Sequence, residues 1–307
     1  MITSFFNKSR PIYFIIVFCI ALFAFVLPRI NSVNETITLD FVLKQTVLLI
    51  TIFASILLLN FIVNKNSLTN RNNYEIVLFS LFLLFITQTT SHSNVLLSNF
   101  FVLLGLRRIV SLRAPKNTKK KLFDAAFWIA IAALFYFWSI LFFILIILSL
   151  VLYTDNNIRH WIIPFLGVCA VFIISCSVSV VLYDSFFEII NLSPEISYDF
   201  SNYNSVQYLV AITVLLSFGI WSSIFYLQNI KKKKKAFRAS FKTIILAAII
   251  SFVIVIQAPD KNGSEFLFLF APLAIIIANY IDIVQEKWFK GIFLAVLVIA
   301  PFLLLLL

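Results

Sequence analysis

Charge, glycine and metal-ligating side chains are all scarce in this 307-residue chain. Only 12% of the residues are charged, whereas soluble domains carry about 25%, so there is too little polar surface for a water-exposed exterior. The five glycines lie at least 28 residues apart, which excludes a glycine-rich phosphate loop and a GxxxG helix-packing motif. The two histidines and three cysteines show no metal-site spacing, and no residue pattern indicates a metal ion or another cofactor.

Long apolar runs take up most of the chain. Hydrophobic residues make up 62% of it, with 36 phenylalanines, and they recur in runs of roughly 15 to 23 residues. No polar stretch is long enough for a separate soluble domain. The sequence therefore predicts an all-α, polytopic transmembrane helix bundle that forms a single integral membrane domain over residues 1–307.

The positive charges predict how the bundle is oriented. With eleven crossings and a cytoplasmic amino terminus, 21 of the 24 Lys and Arg residues fall on the inner side, as the positive-inside rule requires. The outer side keeps Arg29, Lys44 and Lys261. The predicted crossings are residues 12–27, 46–63, 74–90, 95–106, 122–137, 138–153, 161–183, 206–228, 243–257, 267–284 and 291–307.

The eleven-crossing count depends on the stretch 122–153. A single helix over it would be about 50 Å long, against a hydrocarbon core of about 30 Å, and it would place Lys231–Lys235 outside. We therefore predict two short helices that turn near Phe137–Ser139, rather than one long helix.

The net charge of +11 fits a membrane surface better than nucleic acid. The clusters 107–121 and 231–242 lie between apolar runs, where such clusters orient helices and contact anionic headgroups. In this Lys-, Asn-, Ile- and Phe-rich chain they predict a multi-pass protein of a bacterial inner (cytoplasmic) membrane. The expected partner is the lipid bilayer, and no nucleic acid is expected.

Eight of the 13 acidic residues fall on the predicted outer side, and two of them are candidates for chemistry. Asp40 or Glu35, in the first outer loop, could serve as the general base that activates an acceptor hydroxyl. Arg29, Lys44 and Lys261 could bind a lipid-linked phosphate, assisted by His92. The alternative is that all of these are solvated loop residues. Asp124 and Asp282 are interpreted as inner-face anchors, and no carboxylate is expected in the middle of a span.

Three segments carry a resemblance to known enzymes: Phe123–Trp138, Asn157–Gly167 and Ala258–Ala274. In hydrophobicity and order they resemble the paired short helices, the basic inner turn and the late outer loop of the GT-C glycosyltransferases. That class uses polyprenyl-phosphate sugars and carries its catalytic acid in the first outer loop, which implies Asp40 or Glu35 here. The first loop of this chain is short and lacks the adjacent acid pair common in the class.

Two functions follow as hypotheses. The first is a membrane glycosyltransferase-like enzyme that moves a sugar from a polyprenyl-linked donor at the extracytoplasmic face. The alternative is a non-catalytic integral membrane subunit that scaffolds a cell-envelope or secretion complex through a membrane-protein partner. A carrier or channel ranks third, because the spans offer no continuous polar path.

Overall fold

Eleven α-helices and five short 3₁₀ segments make up the described part of the chain, with no β-strand among those residues. The computed structural model describes residues 11–30, 38–70, 72–153, 157–189 and 195–306. The helices are α1 (Pro11–Ile30), α2 (Leu39–Asn66), α3 (Tyr74–Phe85), α4 (Ser93–Val110), α5 (Thr118–Phe135), α6 (Phe142–Leu152), α7 (Ile158–Tyr183), α8 (Val206–Ile230), α9 (Lys235–Gln257), α10 (Leu267–Ile283) and α11 (Lys287–Leu304).

Eight of these helices, some together with an adjoining 3₁₀ turn, are long and apolar enough to cross a membrane. Helices α3 and α6 are shorter but also apolar, and α5 begins with Lys119–Lys121 before its apolar part. Each of the eleven helices coincides with one predicted crossing. The all-helical fold is confirmed, whereas the number of crossings and the side of the amino terminus stay predictions.

Two helices form the centre of the bundle. Every residue of α3 is buried, and so are nearly all residues of α10. Apart from a few polar residues, both helices are apolar on all sides, which is the pattern of a helix enclosed by other helices. They pack against each other, partly through Phe82 and Phe270, whose ring centroids lie 5.7 Å apart. Helices α1, α2 and α11 cover α3, and α8 and α9 cover α10.

The predicted break in the stretch 122–153 is confirmed. Helix α5 ends at Phe135, Tyr136 has an extended backbone (φ −146°, ψ 108°), and a 3₁₀ turn over Phe137–Leu141 leads into α6. No glycine or proline causes the break. Tyr136 instead stacks on Phe268 of α10, with centroids 5.5 Å apart, so packing against the central helix fixes the turn.

The charged loops gather at two ends of the bundle. At one end, which we call the basic end, Arg113 donates to the carbonyl of Asn66, and Tyr153 lies 3.1 Å from Ser240. These bonds bring the end of α2, the 107–121 cluster and the start of α9 together. The opposite end, called the acidic end here, holds Asp40, Asp184, Asp260 and Glu265.

Candidate functional site

Hydrogen bonds join the loops of the acidic end. The Arg29 guanidinium, at the end of α1, donates to Gln45 Oε1 at 2.7 Å and to the Thr90 carbonyl at 2.6 Å. Two residues after Thr90, His92 Nε2 lies 3.1 Å from Asn262 Nδ2. The carbonyl of Asn262 in turn accepts from the Tyr208 hydroxyl at 2.9 Å. Segments from four separate loops therefore converge, which the sequence alone does not establish.

A polar cavity of about 320 Å³ lies where these loops meet. Its walls come from the loop before α4, the turn between α5 and α6, and the loop between α9 and α10. The polar residues that line it are Ser91, His92, Ser93, Asn94, Tyr136, Trp138, Asp260, Lys261, Asn262, Ser264 and Glu265. A cavity of this size, with carboxylate, amide, imidazole and aromatic groups in its wall, can hold a small polar ligand such as one sugar ring.

Glu265 is the buried acid of this cavity. Its side chain is only 2% exposed, and Oε1 accepts from the Gly263 amide at 3.2 Å. Gly263 has a left-handed backbone (φ 89°), and a Cβ there would lie 2.7 Å from the Tyr208 ring. Only glycine fits this close approach, and it turns the chain so that Glu265 faces the cavity from the start of α10.

Two aromatic side chains form the opposite wall. Trp138 is nearly buried, and its Nε1 has no hydrogen-bond acceptor within the described residues. Tyr136 carries an O–H group that can donate, and both rings have flat apolar faces.

Lys261 lines the cavity, but its ammonium group is already bonded. The side chain is 1% exposed, and Nζ donates to the carbonyl of Val255 at 2.9 Å and to that of Ile256. These are among the last carbonyls of α9, so Lys261 caps that helix. Its ammonium also lies 4.8 Å from the centre of the Phe200 ring. Burial lowers the pKa of Lys261.

The guanidinium of Arg29 is also bonded to protein groups rather than open to a ligand. Besides the bonds given above, its guanidinium donates to the Phe25 carbonyl and stacks 3.5 Å from the Phe25 ring. Through Thr90 it holds the 3₁₀ turn that precedes His92. Arg29 is thus placed to support the cavity wall.

Of the two predicted general bases, the structure describes Asp40, which does not line the cavity. Asp40 is exposed in the first turn of α2, where its charge favours the positive end of the helix dipole. Lys44 is exposed one turn further on. Glu35 falls in residues 31–37, outside the described residues. Of the six residues singled out from the sequence, the cavity brings together His92 and Lys261.

An apolar groove of about 380 Å³ opens along the side of the bundle. Helices α8 and α9 form its walls and α10 its floor, with Gly219, Phe252 and Leu269 among the lining residues. Leu269, in the first turn of α10, lies four positions after the cavity residue Glu265. The loop between α9 and α10 lines the polar cavity, and the two helices themselves line the apolar groove.

A buried carboxylate lies at the start of one helix, outside the mid-span positions for which none was expected. Glu75, in the first turn of α3, is fully buried, and neither of its carboxylate oxygens has a hydrogen-bond partner in the described part of the chain. Asp282, at the end of α10, is bonded instead: its oxygens accept from Asn72 Nδ2 at 2.6 Å and from the Asn70 amide at 3.1 Å. Glu75 is hidden in the sequence because it directly precedes an unbroken apolar run.

Within the described ranges, no three His, Cys, Asp or Glu side chains lie close enough together to hold a metal ion. In the acidic-end cavity the acids are Asp260 and Glu265. The side chains of the cavity are able to transfer protons and to hydrogen-bond a ligand.

Fold and composition together define a multi-pass helical membrane protein with a polar cavity at one end. Over residues 1–306 the chain matches a family described as a family of unknown function (DUF6427), and it belongs to that family. No curated protein and no solved structure matches it.

Proposed function

We propose that this protein is a lipid-linked group transferase of the bacterial inner membrane, one that moves a sugar from a polyprenyl-linked donor at its acidic end. The observation that carries the proposal is the polar cavity with the buried carboxylate of Glu265 in its wall. The apolar groove beside it has the character that an isoprenoid chain requires. The acidic end then faces the extracytoplasmic side, as the charge distribution predicts.

In this proposal the general base is Glu265 rather than Asp40. An acceptor hydroxyl attacks the anomeric carbon, and its proton passes to the Glu265 carboxylate. The bond from that carbon to the carrier phosphate breaks, and the phosphate leaves with the electron pair. Tyr136 and Trp138 supply flat faces, and Tyr136 an O–H donor, of the kind that commonly hold a sugar ring. Lys261 holds the wall of the cavity in place by capping α9.

The test is complementation of a deletion strain with Glu265→Gln. The amide retains an oxygen that can accept from Gly263 but cannot take the proton, so we expect the glycan product to fall about 100-fold or more at equal protein abundance. Mass spectrometry of lipid-linked and envelope glycans gives the measurement. Glu195→Gln, an exposed acid in the 184–205 loop, is the matched control and should behave as wild type.

The same strains separate the base from its alternatives. If Glu265→Gln supports normal glycans while Asp40→Asn with Glu35→Gln does not, the base lies in the first loop. If every one of these variants is normal while deletion removes the glycan, the catalytic proposal fails in favour of a scaffold.

A further inference from the structure

A second cavity, of about 280 Å³, lies at the basic end. We call it the basic cleft. It is enclosed by the end of α2, the end of α4, the loop that follows α4 and the start of α5. Six of its lining residues are cationic and none is acidic: Lys65, Arg107, Arg108, Arg113, Lys116 and Lys121.

Most of these cations are held in place by hydrogen bonds but are not paired with an acidic side chain. Arg108 pairs with Asp124 at 2.9 Å, which removes one positive charge from the balance. Arg113 donates to the carbonyl of Asn66, and Lys121 donates at 2.7 Å to the carbonyls of Ser111 and Ala114. Carbonyl groups fix the position of a cation but carry no net charge, so five of the six charges remain without a counter-ion within the described residues.

One aromatic ring contacts two of these cations. The Lys65 ammonium lies 5.0 Å from the centre of the Phe61 ring, and the Arg107 guanidinium lies 4.5 Å from it. Each contact is favourable by itself, but together they keep two like charges within about 10 Å of each other. An anion bound in the cleft near both cations would offset that repulsion.

A helix amino terminus adds to the positive potential of the basic cleft. Helix α5 begins at Thr118, and its N-cap residue Asn117 has a left-handed backbone (φ 58°) and makes no side-chain cap bond. Asn117 and Lys116 both line the cleft. The uncapped first-turn amides of an 18-residue helix are a ready anion site.

From these four features we infer that the basic cleft binds a phosphate group. Guanidinium forks, ammonium groups and helix amino termini are the donors that proteins combine for phosphate oxygens. The phosphate would come from the headgroup of an anionic lipid or from a soluble phosphate compound. This site is separate from the acidic-end cavity, and it does not depend on the transferase proposal.

The test compares two variants that remove the same charge from the same end. Lys65→Gln with Arg107→Gln alters the basic cleft, whereas Lys232→Gln with Lys235→Gln alters exposed lysines outside it. The full chain is placed in phosphatidylcholine nanodiscs. Inorganic pyrophosphate is added from solution, or phosphatidic acid is included in the bilayer, and binding is measured by thermal shift and native mass spectrometry.

We expect the cleft variant to bind at least one probe about tenfold more weakly than wild type, and the control to bind as wild type. Loss with phosphatidic acid alone identifies a lipid headgroup, and loss with pyrophosphate alone identifies a soluble phosphate. Equal weakening in both double variants, or no binding by wild type, overturns the inference. If the double variant does not fold, Lys116→Gln, an exposed loop position in the cleft, gives the same comparison.

Discussion

At the scale of single residues, Glu75 is the most costly feature of the bundle. It is 0% exposed, and Asn73 beside it is also buried with both side-chain polar atoms unbonded in the described part of the chain. A buried polar group without a partner costs about 1–3 kcal/mol, and a charged one costs more. Native proteins retain few such groups, and those retained call for an explanation, such as a functional role.

Replacing Glu75 should therefore stabilise the protein. Glu75→Leu fills similar space without unpaired oxygens, and we expect it to raise the free energy of unfolding by about 1–3 kcal/mol. Thermal unfolding in detergent measures this. Glu286→Gln, at an exposed position, should leave the midpoint unchanged. A lower midpoint for Glu75→Leu would mean that Glu75 has a stabilising partner.

The sequence predicts which charged residues lie near the acidic end, but not their partner atoms. Lys261 is predicted as an open phosphate ligand, yet the left-handed backbone at Lys261 (φ 43°) and the turn at Gly263 return its ammonium to the end of α9. Such local geometry leaves no periodic signal. Glu265 was not singled out from the sequence, although it is an outer acid that follows a glycine and precedes a span. Its burial in the structure is what distinguishes it from Asp260.

At the scale of helices, small residues set how closely α5 approaches its neighbours. Gly105 of α4 faces Ile129 of α5, and Gly167 of α7 faces Ala126 of α5. A Cβ on Gly167 would lie 2.9 Å from the Ala126 Cβ and from the Phe123 carbonyl. Close packing through small residues is how membrane helices associate where no hydrophobic effect operates. These contacts use one glycine each, on α4 and on α7, so they need no GxxxG motif in the sequence.

Gly167→Leu should consequently separate α7 from α5. The new side chain cannot displace backbone atoms cheaply, so we expect a loss of about 1–3 kcal/mol in stability. Faster proteolysis after α7, in residues 184–189, should accompany it. Gly291→Leu is the control, because nothing lies within 4 Å of a Cβ there. Equal effects of the two substitutions would show that helix propensity, rather than the α5–α7 contact, matters.

Helix positions were largely predictable, because each crossing is an apolar run bounded by charges. The exception is the turn at Tyr136, which has no charge, glycine or proline. Its existence followed from the length of the run, and its position was predicted to within a few residues. Its cause, the stacking of Tyr136 on Phe268, is a contact between residues 132 positions apart, which no local pattern encodes.

At the scale of the whole molecule, the segregation of charge between two ends links the fold to both proposed sites. The basic cleft and the acidic-end cavity lie at opposite ends. In a membrane with the basic end inside, one site faces the cytoplasm and the other faces outward. A carrier lipid delivered from either leaflet would then encounter only one of them, so the orientation of the chain decides which site meets which substrate.

Cysteine labelling in intact cells tests that orientation. Cys19, Cys169 and Cys176 lie within α1 and α7 and are first replaced by alanine. We expect a membrane-impermeant maleimide to label Glu195→Cys in intact cells, but to label Lys120→Cys and Lys232→Cys only after permeabilisation. Lys120 and Lys232 share a side only if α5 and α6 cross the membrane as two helices. Labelling of Lys120→Cys and Lys232→Cys on opposite sides would contradict the eleven-crossing count. If all three positions are labelled with the sides exchanged, the acidic-end cavity faces the cytoplasm.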